Sequence, residues 1–205
     1  MKNNIILTIV SIVVIIGFLG IVYKFTSTPQ IYPEINKIQS NDNLTWSPNK
    51  KNILVEYSDI QCPACKTIHD YLKTFEAKNI TLVFRHYPLT TIHKNALPAA
   101  QAAEAAGKQK KFFPMLDALF SKQTEWSELA NPMDYFVKTA TNLKLNVEKF
   151  KTDYNSKSIK DKVAADIASG DSAGITSTPT FFLNGEKVEI TSLEEFKNVL
   201  LQTGN

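Results

Sequence analysis

A β-prone run, a helical stretch and a second β-prone run constrain the fold of this chain more than any other feature. Residues 53–57 and 80–84 are short apolar runs of the kind that form buried strands. Between them, residues 65–78 place apolar side chains at helical spacings of three and four, namely Ile68, Leu72 and Phe75. A helix that connects two neighbouring strands makes them parallel. The sequence therefore predicts a β-α-β unit at the start of an α/β domain.

The two cysteines of the 205-residue chain, Cys62 and Cys65, lie at the start of this helical stretch. An isolated Cys-x-x-Cys pair is compatible with half of a zinc site, a structural disulfide or a redox-active dithiol. Tetrahedral zinc needs four ligands, and the chain has neither a second pair nor two suitably spaced histidines. A disulfide across so short a loop removes little chain entropy. The redox-active dithiol is therefore the favoured interpretation.

The start of a helix also indicates which cysteine reacts first. Unpaired backbone N–H groups and the positive end of the helix dipole favour the thiolate, which is the nucleophile. We expect Cys62 to exchange disulfides, with a pKa in the upper half of the ~3.5–7.5 range of activated cysteines. Cys65, one turn further on, is expected to resolve the mixed disulfide. Pro63 in the first turn costs no hydrogen bond.

Glu56 is an acidic residue in the otherwise apolar first strand, six positions before Cys62. Burial of a bare carboxylate is costly, so we expect its pKa to be raised. A carboxyl group with a raised pKa can carry protons for Cys65 during exchange. The alternative is that Glu56 lies at a solvated edge of its strand.

The second half of the chain is predicted to contain a long helical block and a closing hairpin. Residues 92–174 have helical patterns throughout. A strand at 180–183, a turn at Asn184-Gly185 and a returning strand at 187–190 form the predicted hairpin. Ser192 then caps a final helix. The predicted order is therefore βαβ, helical block, ββα.

The segments around the cysteines and the hairpin resemble the DsbA-like thiol-disulfide oxidoreductases, especially the membrane-anchored BdbD-type members of Gram-positive bacteria. The resemblance covers about residues 45–205. Its motifs, besides the helical block, are Glu56-Tyr57-Ser58-Asp59-Ile60-Gln61-Cys62-Pro63-Ala64-Cys65-Lys66 and Thr178-Pro179-Thr180-Phe181-Phe182-Leu183-Asn184-Gly185. It implies a thioredoxin fold with a helical domain inserted into the core.

The resemblance also implies roles for individual residues. Pro179 is expected to be cis and to face the two cysteines, and the backbone of Thr178 to pair with a substrate strand. Pro63 and Ala64 are expected to contact the substrate as well. The best-known strong oxidants of the family carry histidine at the position of Ala64, where it helps to stabilise the reduced thiolate. This departure leaves open whether the chain oxidises, reduces or isomerises its clients.

Two histidines receive no functional role from the sequence. His69, one turn after Cys65, is interpreted as solvated rather than as tuning the dithiol. His93 ends a stretch, residues 85–93, that resembles the family's connection from the core into the insertion. We interpret it as ordinary packing.

The predicted fold class is α/β, a thioredoxin fold with an inserted helical domain, preceded by an N-terminal transmembrane anchor. The expected divisions are an anchor or signal segment at 1–24, a linker and possible edge strand at 25–50, a thioredoxin core in two parts at 51–91 and 175–205, and the helical insertion at 92–174.

Residues 5–22 form an uncharged, mostly apolar run. As a helix it would be about 27 Å long, just enough for a hydrocarbon core of ~30 Å. A cleaved signal peptide is the main alternative, but its apolar region is usually about 7–15 residues long and ends in a small-residue site that this run lacks. We therefore expect a single-pass protein of the bacterial cell membrane, with its catalytic domain on the extracytoplasmic side.

Charge excludes a nucleic-acid partner, because the net charge is only +3 and two of those charges are Lys2 and Lys24. We expect an enzyme, a protein dithiol-disulfide oxidoreductase that donates a Cys62–Cys65 disulfide to reduced secreted or membrane proteins. It would need no metal and no cofactor beyond that disulfide. By the resemblance, a quinone-coupled membrane protein would reoxidise it. The alternatives are a thiol reductase or isomerase of the same fold, and a non-catalytic metal-binding module.

Overall fold

The computed structural model describes residues 11–20, 30–47 and 51–203. From Tyr32 onward the chain forms one unit around a five-stranded sheet with strand order β1-β3-β2-β4-β5. The strands are β1 (Asn43–Trp46), β2 (Asn52–Ser58), β3 (Ile80–His86), β4 (Thr180–Leu183) and β5 (Glu186–Val188).

The strand pairing agrees with the predicted β-α-β unit. β2 lies between β3, to which it is parallel, and β4, to which it is antiparallel. Glu56 in β2 is opposite Phe84 in β3 and Phe181 in β4. Glu56 therefore lies in the interior of the sheet and not at a solvated edge. β1 pairs antiparallel with β3 at the edge of the sheet, where the sequence predicted a possible edge strand.

Helix α1 (Pro63–Leu72) connects β2 to β3 and ends earlier than the sequence predicted. The predicted helix continued to about Lys78. In the structure the N–H and hydroxyl groups of Thr74 both donate to the Tyr71 carbonyl, at 2.9 and 2.7 Å. That carbonyl would accept the N–H of Phe75 in a continuing helix. Phe75 therefore leaves the helix, and its ring packs against Trp46.

The insertion between β3 and β4 is helical, as predicted. Its core contains large side chains that are fully buried, including Phe120, Trp126, Phe136 and Phe150. Its helices are α2 (Ala96–Gly107), α3 (Phe112–Ser121), α4 (Gln123–Trp126), α5 (Met133–Asn142), α6 (Val147–Tyr154) and α7 (Lys157–Ser172).

The closing hairpin has the predicted turn. Asn184 and Gly185 both have positive φ, 53° and 85°, as a two-residue type I′ turn requires. The returning strand β5 begins at Glu186 and ends at Val188, so it is shorter than predicted. Ser192 accepts a hydrogen bond from the N–H of Glu195 at 3.1 Å and caps the last helix, α8 (Leu193–Thr203).

Alternation along β2 decides which side chains face α1. Leu54 packs in one cluster with Ile68 and Leu72 of α1 and with Phe196 of α8. Val55 and Tyr57 pack in a different cluster, on the opposite face of the sheet. Glu56 shares the face of Leu54, so its side chain lies on the side of α1, the helix that carries the cysteines.

The predicted N-terminal anchor lies largely outside the described residues, since residues 1–10 and 21–29 are not described. Residues 11–20 are helical. Among the residues that the structure does describe, none of the helices has both the length and the apolar character needed to cross a membrane.

Candidate active site

The two cysteines lie at the N-terminus of α1, where the sequence placed them. Cys62 is the N-cap residue and Pro63 occupies the first turn, so the missing N–H of proline costs no hydrogen bond. Both cysteines are free thiols. Cys62 is 7% exposed, whereas Cys65 is fully buried at 0%. Cys62 is therefore the sulfur that another molecule can reach.

The segment before β4 contacts the dithiol. The Thr178–Pro179 peptide bond is cis, as the family resemblance implied. The thiol of Cys62 donates to the carbonyl oxygen of Thr178 at 3.6 Å. On the other side, the backbone N–H of Asp59 donates to the sulfur of Cys65 at 3.5 Å. The loop before α1 and the loop before β4 thus hold one sulfur each.

The two thiols have opposite acidities. A hydrogen bond from the Cys65 thiol, helped by the N–H groups of Cys65 and Ala64 and by the Thr178 side chain, lowers the pKa of Cys62 to about 5 against the opposing effect of burial. Burial raises the pKa of Cys65 far above that of an ordinary thiol. The predicted order, Cys62 as nucleophile and Cys65 as buried resolving thiol, agrees with this difference.

The pKa of Cys62 falls within the range of activated cysteines that the sequence predicted. Its value of about 5 lies near the middle of that range. The expected pKa rested only on the end of the helix and the missing histidine at Ala64. The largest cause is instead the neighbouring thiol of Cys65, whose orientation toward Cys62 a sequence does not show.

Glu56 is buried beneath α1, with only 1% of its surface exposed. Burial raises its pKa, and the charge of His69 and the Ser58 hydroxyl act to lower it. Its Oε1 atom has no hydrogen-bond partner among the residues that the structure describes. Burial and a raised pKa match the expectation for this residue, and its proton-carrying role stays a prediction.

The exposed residues at the start of α1 are Pro63 and Ala64, which the resemblance assigns to substrate contact. Their side chains are open to solvent next to Cys62 in the chain, and the Thr178 carbonyl contacts the Cys62 sulfur. Contact of these three residues with a substrate stays a prediction.

Asp59 organises the loop that leads into Cys62, a role that the sequence analysis missed. Its buried carboxylate accepts the N–H groups of Gln61 at 2.7 Å and Leu89 at 2.9 Å. The Nδ1 atom of His93 lies 2.7 Å from the same carboxylate. His93 is therefore not ordinary packing, because it links the insertion's entry loop to the active-site loop. The Asx-turn spacing from Asp59 to Gln61 was the available signal.

The insertion also fixes the backbone around Cys62. The side-chain amide of Gln123 donates to the carbonyl oxygens of Ile60 at 2.8 Å and Cys62 at 3.1 Å. The side chain of Gln61 donates to Ser127 at 2.9 Å. Gln123 is buried and about 60 residues away in sequence, so no local pattern predicts this contact.

His69 contradicts its predicted solvated state. It is only 8% exposed, its Nε2 atom lies 2.8 Å from Oδ1 of Asp117, and its ring stacks on Phe120 with the centroids 4.6 Å apart. The physical reason is helical spacing, because His69 is four residues after Cys65 and so shares its inward face.

A sequence profile of the family described as Thioredoxin matches residues 41–201, which is most of the chain. The chain belongs to this thioredoxin family. The matched range includes both cysteines and the cis Thr178–Pro179 bond, and it confirms the predicted thioredoxin fold.

Solved structures share the fold of this thioredoxin-family chain. BdbD from Bacillus subtilis, in its oxidised form, superposes with a TM-score of 0.70 at 20% identity and covers 85% of this chain and 98% of its own. The thiol-disulfide exchange protein α-DsbA2 from Wolbachia pipientis gives 0.69 at 19% identity, over 80% and 88% of the two chains.

Among curated proteins, the Na⁺/H⁺ antiporter NhaA 1 of Mycobacterium sp. (strain KMS) is 32% identical over 153 residues, which cover 71% of this chain and 24% of the antiporter. The chain thus spans about a quarter of the length of the curated relatives it matches.

Proposed function

We propose that this thioredoxin-family protein is an extracytoplasmic thiol oxidase that donates its Cys62–Cys65 disulfide to reduced secreted or membrane proteins. The observation that carries the proposal is the unequal dithiol. Cys62 is a reachable, acidic thiol at the N-cap of α1, and Cys65 is a buried, weakly acidic one. In that arrangement, Cys62 is a good leaving group in a mixed disulfide, and Cys65 stays hidden from solvent.

In the proposed exchange, a client thiolate attacks the sulfur of Cys62. The Cys62–Cys65 bond breaks, and Cys65 leaves with the electron pair and takes a proton from the acid form of Glu56. A second client thiolate then attacks the client sulfur of the mixed disulfide and releases Cys62 as a thiolate. The client loses two electrons and gains a disulfide, while the protein is reduced to the dithiol.

The acidity of Cys62 supports the oxidising direction. A stabilised thiolate stabilises the reduced protein relative to its disulfide, so the disulfide becomes a stronger oxidant. The same fold acting as a reductase or isomerase is the alternative. Equilibration with glutathione distinguishes them, because a strong oxidant lies near about −120 mV and a thioredoxin-like reductant near about −270 mV. A reduction potential near about −270 mV would overturn the proposed oxidase activity.

The location and partners in this proposal rest on the sequence. The apolar run at 5–22 would anchor the chain in the cell membrane, and a quinone-coupled membrane protein would reoxidise the dithiol. Membrane fractionation with N-terminal sequencing tests the anchor, and a native chain that begins after Val22 would contradict it. Ion antiport is not proposed, because the matched antiporters are about four times longer than the region they share with this chain.

Two serine variants test the assignment of the sulfurs. Cys62→Ser should abolish exchange, because it removes the nucleophile. Cys65→Ser should instead accumulate mixed disulfides with reduced clients, which non-reducing electrophoresis detects. Release of clients by Cys65→Ser as fast as by the wild type would show that Cys65 is not the resolving thiol.

A further inference from the structure

A cavity of about 380 Å³ opens beside the buried carboxyl group of Glu56. His69, Lys73 and Asp117 also line it, together with the apolar side chains of Trp46, Leu72, Phe75 and Leu116. Lys73 and Asp117 are partly exposed and form an ion pair at 2.9 Å, so the cavity reaches the surface at that pair. Its volume is many times that of one water molecule.

The cavity lies in the layer that contains the dithiol. Glu56 faces α1, because Leu54 on the same face of β2 packs against Ile68 of that helix. Cys65 and His69 are both buried on α1 and are four residues apart, so they share one face of the helix. Glu56 thus has the resolving cysteine and a histidine on the helix above it, and the cavity beside it.

His69 is fixed in this layer by contacts from the insertion. Oδ1 of Asp117 in α3 holds its Nε2 atom at 2.8 Å, and Phe120 of the same helix stacks on its ring. Asp117 is itself held by Lys73. A protonated ring in this position opposes the effect of burial and lowers the pKa of Glu56.

We propose that this cavity is the route by which Glu56 exchanges protons with solvent, and that His69, held by Asp117, is the positioning residue that sets the pH at which Glu56 serves Cys65. The inference rests on the proposed function but holds for either direction of electron flow. During oxidation of the dithiol, Glu56 accepts the Cys65 proton and passes it to solvent through the cavity. During reduction of the disulfide, the proton moves the opposite way.

The charged and titratable groups around Glu56 come from several elements. Cys65 and His69 come from α1, Lys73 and Glu76 from the segment after it, and Asp117 from α3. Of these, His69 is the group whose charge acts to lower the pKa of Glu56. Removing that charge should therefore shift the ionisation of Glu56 to higher pH.

The test follows reaction of the full reduced protein with an aromatic disulfide by stopped-flow absorbance. Cys62 attacks first and releases one aromatic thiol. Cys65 then gives its proton to Glu56, attacks the Cys62 sulfur and releases the second thiol. The first phase reports Cys62, and the second phase reports Cys65 and its base, so each variant contains its own control.

His69→Gln should shift the inflection of the second phase to higher pH and leave the first phase unchanged. Below the inflection, the second phase should be slower than in the wild type by about tenfold for each pH unit of displacement. His69→Lys keeps a positive charge, and its inflection should lie at or below that of the wild type. Asp70→Asn is the matched control, because Asp70 is the next residue of α1 but pairs with Lys66 at the surface.

An unshifted inflection in His69→Gln overturns the inference, as does an equal shift in Asp70→Asn. If His69→Gln does not fold, an inflection above the wild-type value in His69→Lys overturns it. Failure of the proposed oxidase is detected separately, by the glutathione equilibration, whereas a wild type that releases no second thiol would contradict dithiol exchange in either direction. Glu56→Gln tests whether Glu56 is the base for Cys65. It should slow the second phase on the order of 10²-fold and remove its inflection.

Discussion

Replacing Ala64 with histidine should make the Cys62–Cys65 disulfide a stronger oxidant. Ala64 is exposed in the first turn of α1, and its backbone N–H is among the groups that lower the pKa of Cys62. Because the side chain is exposed, the start of the helix can accommodate an imidazole ring. Its protonated form would add one positive charge at the end of the helix that already favours the thiolate.

The size of the effect follows from the linkage between acidity and potential. An opposite charge within about 4–6 Å lowers a pKa by about 1–3 units. The exposure of Ala64 places the expected change at the lower end of that range, since solvent screens the charge. One pKa unit is about 1.36 kcal/mol, and about 30 mV corresponds to ~1.4 kcal/mol for a two-electron couple. Ala64→His should therefore raise the reduction potential by about 30 mV.

Thiolate absorbance against pH and equilibration with glutathione measure the two quantities independently. Ala64→Gln is the matched control, because it adds a side chain without a charge. The gain in potential should be larger near pH 6 than near pH 8, since histidine loses its charge above about pH 6.5. If Ala64→His moves neither the Cys62 pKa nor the potential, or if Ala64→Gln moves both equally, the electrostatic explanation of this site is wrong.

Three further substitutions test the packing around the site. Glu56→Gln should raise the unfolding temperature at neutral pH, because the buried carboxyl group has a raised pKa and its ionisation destabilises the fold. The gain should disappear as the pH falls below about 4.3, where the carboxyl group is protonated in the unfolded chain as well. Gly170→Ala should lower the free energy of unfolding by about 1–3 kcal/mol, since its Cβ would lie 2.6 Å from the Tyr87 ring. Gln123→Leu should cost about 1–3 kcal/mol in urea unfolding, because the Ile60 carbonyl loses the Gln123 donor and the Cys62 carbonyl keeps only the N–H of Lys66.

The core of the fold could be predicted because its signals are local. Periodicity alone placed β2, α1 and β3 in order, and the Asn184-Gly185 pair placed the hairpin turn. The helix end was missed because the apolar spacing continues to Phe75, whereas a hydroxyl of Thr74 competes for the carbonyl that the next turn needs. Periodicity measures which side chains favour burial, and it does not measure such competition.

The sequence predicts those properties of the site that depend on a single helix or strand. The order of acidity of Cys62 and Cys65 follows from their positions on α1, and the pKa of Glu56 follows from burial in β2. Asp59 and His93 were not predicted to meet, because their contact joins residues 34 positions apart. Gln123 acts across an even longer separation. Such contacts depend on how the insertion folds back over the core.

His69 shows why the insertion belongs to the chemistry of this site. Helical spacing from Cys65 is enough to place its side chain inward, but the partner that fixes it, Asp117, comes from α3 of the insertion. Gln123, from the next helix, donates to the Cys62 carbonyl. The insertion therefore supplies contacts to the backbone of the nucleophile and to the histidine beside the buried acid. A thioredoxin core without it would retain both sulfurs and lose the Gln123 contact to the Cys62 carbonyl and the Asp117 contact to His69.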